Sequence, residues 1–152
     1  MVIISSQFLL YYVLFYPIAV LIHELGHAFF VKLFGEKIIS IGFGTGEKIV
    51  QIKKFYVAKD SILFGKIRWD RSSELNVYQS FFLYFGGILF NILTGTILWI
   101  FGDVTYAYIY KPFIFLSYYM ALFNLVPFKF RDGRDSDGLL ILKLFKSRFK
   151  EC

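Results

Sequence analysis

The sequence is poor in histidine, cysteine, proline and charge. It has two histidines, one cysteine and three prolines in 152 residues. A single cysteine, Cys152, excludes an intrachain disulfide and any metal site built on paired thiolates. It reads as a bystander thiol and indicates no compartment. Charged residues make up 18% of the chain, below the roughly 25% of an ordinary soluble domain. Met1 to Gln7 carries no Lys or Arg. No small-residue cleavage site follows, so the first apolar stretch reads as a retained helix rather than a cleaved signal. No internal repeat and no low-complexity linker divides the chain, which reads as one domain over 1–152.

Apolar and aromatic residues take the place of charge. The chain is 57% hydrophobic and 22% aromatic, with 20 Phe and 11 Tyr. That exceeds what a core this small would bury, and fits a bilayer-facing surface with interfacial aromatics. Three apolar segments stand out, at about 8–34, 77–101 and 111–127. A hydrocarbon core about 30 Å thick needs roughly 20 helical residues, so each reads as a transmembrane helix. Pro17 is expected to loosen the first, and Pro112 fits the first turn of the third. Gly87, Asn91 and Gly95 recur every four residues and form a small-residue stripe for close helix packing. Between the first two segments, 36–71 is glycine-punctuated and β-prone, and predicts two to four short strands. After the third come a polar loop, 128–138, and a basic amphipathic tail, 139–150. The expected fold is a mainly α membrane protein: three transmembrane helices, a short β-sheet and an amphipathic C-terminal helix.

The net charge of +6 is not spread evenly. Nine of the 17 Lys/Arg fall between Lys32 and Arg71, and seven between Lys129 and Lys150. With three crossings both clusters land on one side. By the positive-inside rule that side is cytoplasmic, giving N-out and C-in. No basic stripe with a recognition motif is present, which excludes a nucleic-acid partner. The expected partners are the lipid bilayer and a membrane-protein or peptide substrate. Nothing in the sequence fixes the oligomeric state.

Both histidines share one pentapeptide, His23-Glu24-Leu25-Gly26-His27. On a helix, residues four apart lie on one face, so two imidazoles can hold one Zn²⁺. Glu24 can then act as general base toward the attacking water. Ionisable residues this deep in an apolar segment are costly, and point to function. A catalytic zinc usually keeps three protein ligands. With no other histidine, the third is a carboxylate. Asp132, Asp135 and Asp137 reach the same membrane level on the loop after the third segment. Glu36 and Glu74 are further acids outside the motif.

The chain resembles the site-2 proteases, a family of intramembrane zinc metalloproteases. Four features carry the resemblance in order: His23-Glu24-Leu25-Gly26-His27, Ile41-Gly42-Phe43-Gly44, Gly86-Gly87-Ile88-Leu89-Phe90-Asn91, and Asn124-Leu125-Val126-Pro127 followed by an Asp-Gly. They span about Phe8 to Leu142. The resemblance implies one Zn²⁺ per chain on His23, His27 and an Asp of an Asp-Gly pair, with Glu24 as base. Asp137, whose Ser136-Asp137-Gly138 leads straight into the apolar tail, is preferred, and Asp132 is the alternative. Asn91, Asn124 and Pro127 are expected to hold substrate or brace the ligand loop. The implied activity is hydrolysis of peptide bonds in a membrane-spanning or membrane-associated protein. The other reading is a non-proteolytic binding or immunity-type protein that keeps the same site.

Overall fold

The computed structural model describes residues 6–70, 74–130 and 132–149. Cys152, Arg71 and most of the Met1 to Gln7 stretch lie outside them. The elements in chain order are α1 (Ser6–Leu33), β1 (Lys37–Ile52), β2 (Phe55–Asp70), α2 (Val77–Phe101), a short 3₁₀ turn (Val104–Tyr106), α3 (Ala107–Leu125) and α4 (Asp137–Phe149). The molecule is mainly helical with one small sheet. α1 and α2 are long and apolar enough to cross a membrane. α3 is not in that class.

α1 continues through Pro17 without a break. Its neighbours form two apolar clusters, one above and one below the histidines. Ala19 and Val20 pack with Phe113, Leu116 and Met120 of α3. Ala28 and Val31 pack with Ile38 of β1 and Leu83 of α2. The polar pentapeptide is therefore held between two dry contacts. α1 and α2 cross backbone to backbone, because a Cβ on Gly26 would overlap the Gly86 carbonyl. Asn76 opens α2 with a reciprocal capping box to Gln79, which satisfies two otherwise orphaned N–H groups. Val13, Leu14, Ile97, Ile100, Phe115 and Leu122 point outward and exposed. An apolar rim on several helices is what lipid contact requires.

Two expectations need correction. Pro112 lies inside α3, past its first turn. The helix is nucleated upstream, where Asp103 accepts from the Thr105 N–H at 2.8 Å and the 3₁₀ turn feeds directly into Ala107. The β segment is two strands, within the expected two to four, but each is 16 residues long rather than short. They pair antiparallel, with repeated shifts of register. Ile41 stands opposite both Ile67 and Phe55, and Phe43 opposite both Gly65 and Val57. The first half of β1 is thus flanked on both sides. Its Ile38, Ser40, Gly42 and Gly44 alternate inward, the period of two of a half-buried strand.

Candidate active site

One face of α1 carries the site. His23, Glu24 and His27 are all buried, between 4% and 8% exposed. His27 Nδ1 donates to the Leu83 carbonyl at 2.7 Å. His23 Nδ1 lies 3.4 Å from the Asn91 amide nitrogen. The Asn91 amide oxygen is buried with no partner. A half-turn of that amide sets the oxygen against His23 Nδ1 as an acceptor. With both Nδ1 atoms so engaged, both Nε2 atoms carry lone pairs and face inward. Such outer contacts fix tautomer and ring orientation at metal sites.

The third group is Asp137. Its Oδ2 lies 3.0 Å from His23 Nε2 and 3.4 Å from His27 Nε2. The two Nε2 atoms are 3.2 Å apart. Oδ2 is buried with no hydrogen-bond partner. Three acceptors therefore converge on one point. Tetrahedral bonds of about 2.05 Å set ligand atoms roughly 3.3 Å apart, which matches all three edges. Among the described residues this is the cluster able to hold a metal ion. The donor set fits Zn²⁺.

Asp137 is not in a loop, as the sequence suggested, but is the first residue of α4. Ser136 places it there. Its hydroxyl donates to the Val126 carbonyl at 2.7 Å, and accepts from the Phe128 and Leu139 N–H groups at 3.0 and 3.2 Å. Ser136 thus caps α4 and ties it to the end of α3. Sequence reading missed this residue, although a serine just before an apolar helical run is an N-cap signal. Gly138 does not turn the chain. It makes room, since a Cβ there would overlap the Leu125 carbonyl. In the other Asp-Gly pair, Gly133 does the turning, at φ 85°.

The remaining acids stand apart from the histidines. Asp132 bonds Arg134 through its backbone N–H and its guanidinium Nε, at 3.1 and 2.7 Å. Those contacts outweigh a desolvation effect and lower its carboxyl pKa. Asp135 pairs with Lys143. Glu36 immediately precedes β1 and Glu74 is exposed. Asn124 donates to the Met120 carbonyl of its own helix at 3.0 Å and lines the cleft beside the site. Pro127 follows the capping residue Val126 and ends α3.

The cleft has a volume of about 540 Å³. Its walls come from α1, β2, α2, α3 and α4, and Glu24, Gly65, Asp137 and Arg134 all line it. Glu24 packs flat on β2, where a Cβ on Gly65 would overlap its carboxylate. The cleft mixes apolar wall with a few convergent polar groups, the usual character of a binding site.

Residues 11–108 match the sequence profile of Peptidase family M50. The chain belongs to that family, the site-2 proteases. The matched span includes His23-Glu24-Leu25-Gly26-His27 and the Gly86 to Asn91 segment, and ends before Asp137. Uncharacterized membrane protein YwmF of Bacillus subtilis (strain 168) is 27% identical over 148 residues, covering 92% of this chain and 89% of that protein. M50 proteins as a class are membrane-bound zinc metalloproteases.

Proposed function

We propose that this chain is a zinc-dependent intramembrane endopeptidase acting on a membrane-spanning or membrane-associated protein or peptide. The observation that carries the reading is the convergence of three unshared acceptors, His23 Nε2, His27 Nε2 and Asp137 Oδ2, in the cleft that Glu24 lines. Zinc, when bound, supplies a Lewis acid that polarises a carbonyl and makes water acidic. His23, His27 and Asp137 hold it. Glu24, the adjacent base, takes the proton of the attacking water and later delivers it to the leaving amine. Asn91 and the Leu83 carbonyl keep the imidazoles oriented. β2 lies along the cleft and can receive an extended segment by strand pairing.

α3 is the third crossing in this reading. Its 19 residues give a helix about 28 Å long, near the thickness of the hydrocarbon core. Gly65 of β2 meets Glu24, and α4 meets the C-terminal end of α3, so the sheet and α4 flank one end of the bundle. Both basic clusters then share the cytoplasmic side, as N-out and C-in requires.

Co-expression with single-span membrane proteins, followed by mapping of any cut, tests the activity. Glu24→Gln is expected to abolish the cut while zinc stays at one per chain. Retained full activity would remove Glu24 as the base. Asp137→Asn is expected to lose zinc and activity, and Asp132→Asn to keep its zinc. The reverse ranking would move the third ligand to Asp132.

A further inference from the structure

Arg134 has no part in the reading above, yet it lines the same cleft as Glu24. It is fixed from several directions. Asp132 takes its Nε–H at 2.7 Å and its backbone N–H at 3.1 Å. Nη1 donates to the Gly65 carbonyl at 3.1 Å. The guanidinium carbon lies 5.8 Å from the Phe64 ring and 5.5 Å from the Phe130 ring. Those two rings meet edge-on at 5.6 Å, so the cation sits in an aromatic bracket.

Gly65 is the point the two charged groups share. Glu24 packs against it from α1, and Arg134 bonds its carbonyl. A peptide laid along β2 would therefore meet the base and the guanidinium within about one residue of each other, given a rise of roughly 3.3 Å per residue. A guanidinium has five N–H donors. Two are used here, by Asp132 and Gly65. The other three, at the Nη1 and Nη2 end, have no hydrogen-bond partner among the described residues. Of the nearby carboxylates, Asp135 pairs with Lys143 and Asp137 faces the histidines, while Glu24 feels the guanidinium charge with no ion pair to it among the described residues. A free guanidinium fork is complementary to a carboxylate, which it can grip with two parallel bonds.

We infer that Arg134 is a specificity-determining residue: Asp132 and the Phe64–Phe130 bracket hold its guanidinium fork in the cleft beside Glu24, where it selects a peptide with an acidic side chain next to the scissile bond. The inference rests on the endopeptidase reading only in assigning the cleft to a peptide. It gives the Asp132-Gly133-Arg134 turn a purpose separate from metal binding.

The test is binding, kept apart from cleavage. The probes are three fluorescein-labelled apolar peptides that differ only in one central residue, Glu, Gln or Lys. Zinc-loaded Glu24→Gln protein in detergent binds them without turnover, and anisotropy reads the affinity. The Glu peptide should bind at least tenfold more tightly than the Gln peptide, with the Lys peptide weakest. Arg134→Gln should erase that order with zinc content unchanged, which shows the site still folded. Arg134→Lys should keep part of the preference, and Arg134→Glu should favour the Lys peptide. Equal affinities, no binding of any peptide, or an order unchanged in Arg134→Glu would overturn the inference. The same peptides given to the Glu24 protein separate the two ideas. Cutting without acidic preference keeps the peptidase and rejects this role for Arg134. Acid-ordered binding without cutting keeps the subsite and rejects the peptidase.

Discussion

Gly87 carries a constraint that its place in an apolar helix conceals. A Cβ there would come within 2.6 Å of His23 Nε2 and of His27 Nε2. Gly95, two turns along the same stripe, has Ser117 and Tyr118 at an ordinary 3.5 Å. Gly87→Ala is therefore expected to cost about 1–3 kcal/mol by overpacking, and to lower zinc affinity about 10- to 100-fold by displacing both rings. Gly95→Ala should change neither. Equal effects of the two substitutions, read by zinc titration and thermal unfolding, would reject this distinction. From the sequence, Gly87, Asn91 and Gly95 read first as one packing stripe. The structure divides it: Gly87 clears the imidazoles, Asn91 reaches His23, and Gly95 packs on α3. Spacing along a helix reveals a shared face, but what lies opposite that face is set by tertiary contacts. The pentapeptide was legible because its pattern is local. Arg134 was not, since its partner Gly65 is far away in sequence.

At the scale of elements, α4 was read two residues late, starting at 139 rather than at Asp137. Polar residues at a helix start look like loop until the cap is recognised. Ser136 is 1% exposed and its hydroxyl makes three hydrogen bonds. Ser136→Ala removes the cap and leaves the Phe128 and Leu139 N–H groups without that acceptor. The expected loss is roughly 1–2 kcal/mol of stability, with a fall in zinc content because the first turn of α4 carries Asp137. Ser136→Thr keeps the hydroxyl and should restore much of both. Zinc analysis beside thermal unfolding checks this; full zinc retention in Ser136→Ala would show that α4 holds its start by other contacts. The sheet was legible as β but not as two long strands. The segment is glycine-punctuated, and the structure keeps Gly42 and Gly44 within β1, facing inward.

For the whole molecule, the uneven spread of basic residues predicts a topology. Cysteines placed at Lys54 and Lys146, in a chain with Cys152 replaced by serine, should react with a membrane-impermeant maleimide only from the cytoplasmic side. One placed at Asp103, between α2 and α3, should react only from the other. Labelling of Lys146→Cys and Asp103→Cys from the same side would mean that α3 does not cross. Chain order adds a consequence in time. His23 and His27 leave the ribosome early, and Asp137 leaves it after α1, the sheet, α2 and α3. The His23–His27–Asp137 cluster cannot exist until those elements have been synthesised and have packed. Stalled, truncated or misassembled chains carry the pentapeptide but not the cluster. Under the proposed activity, hydrolytic capacity is then the last property this protein acquires.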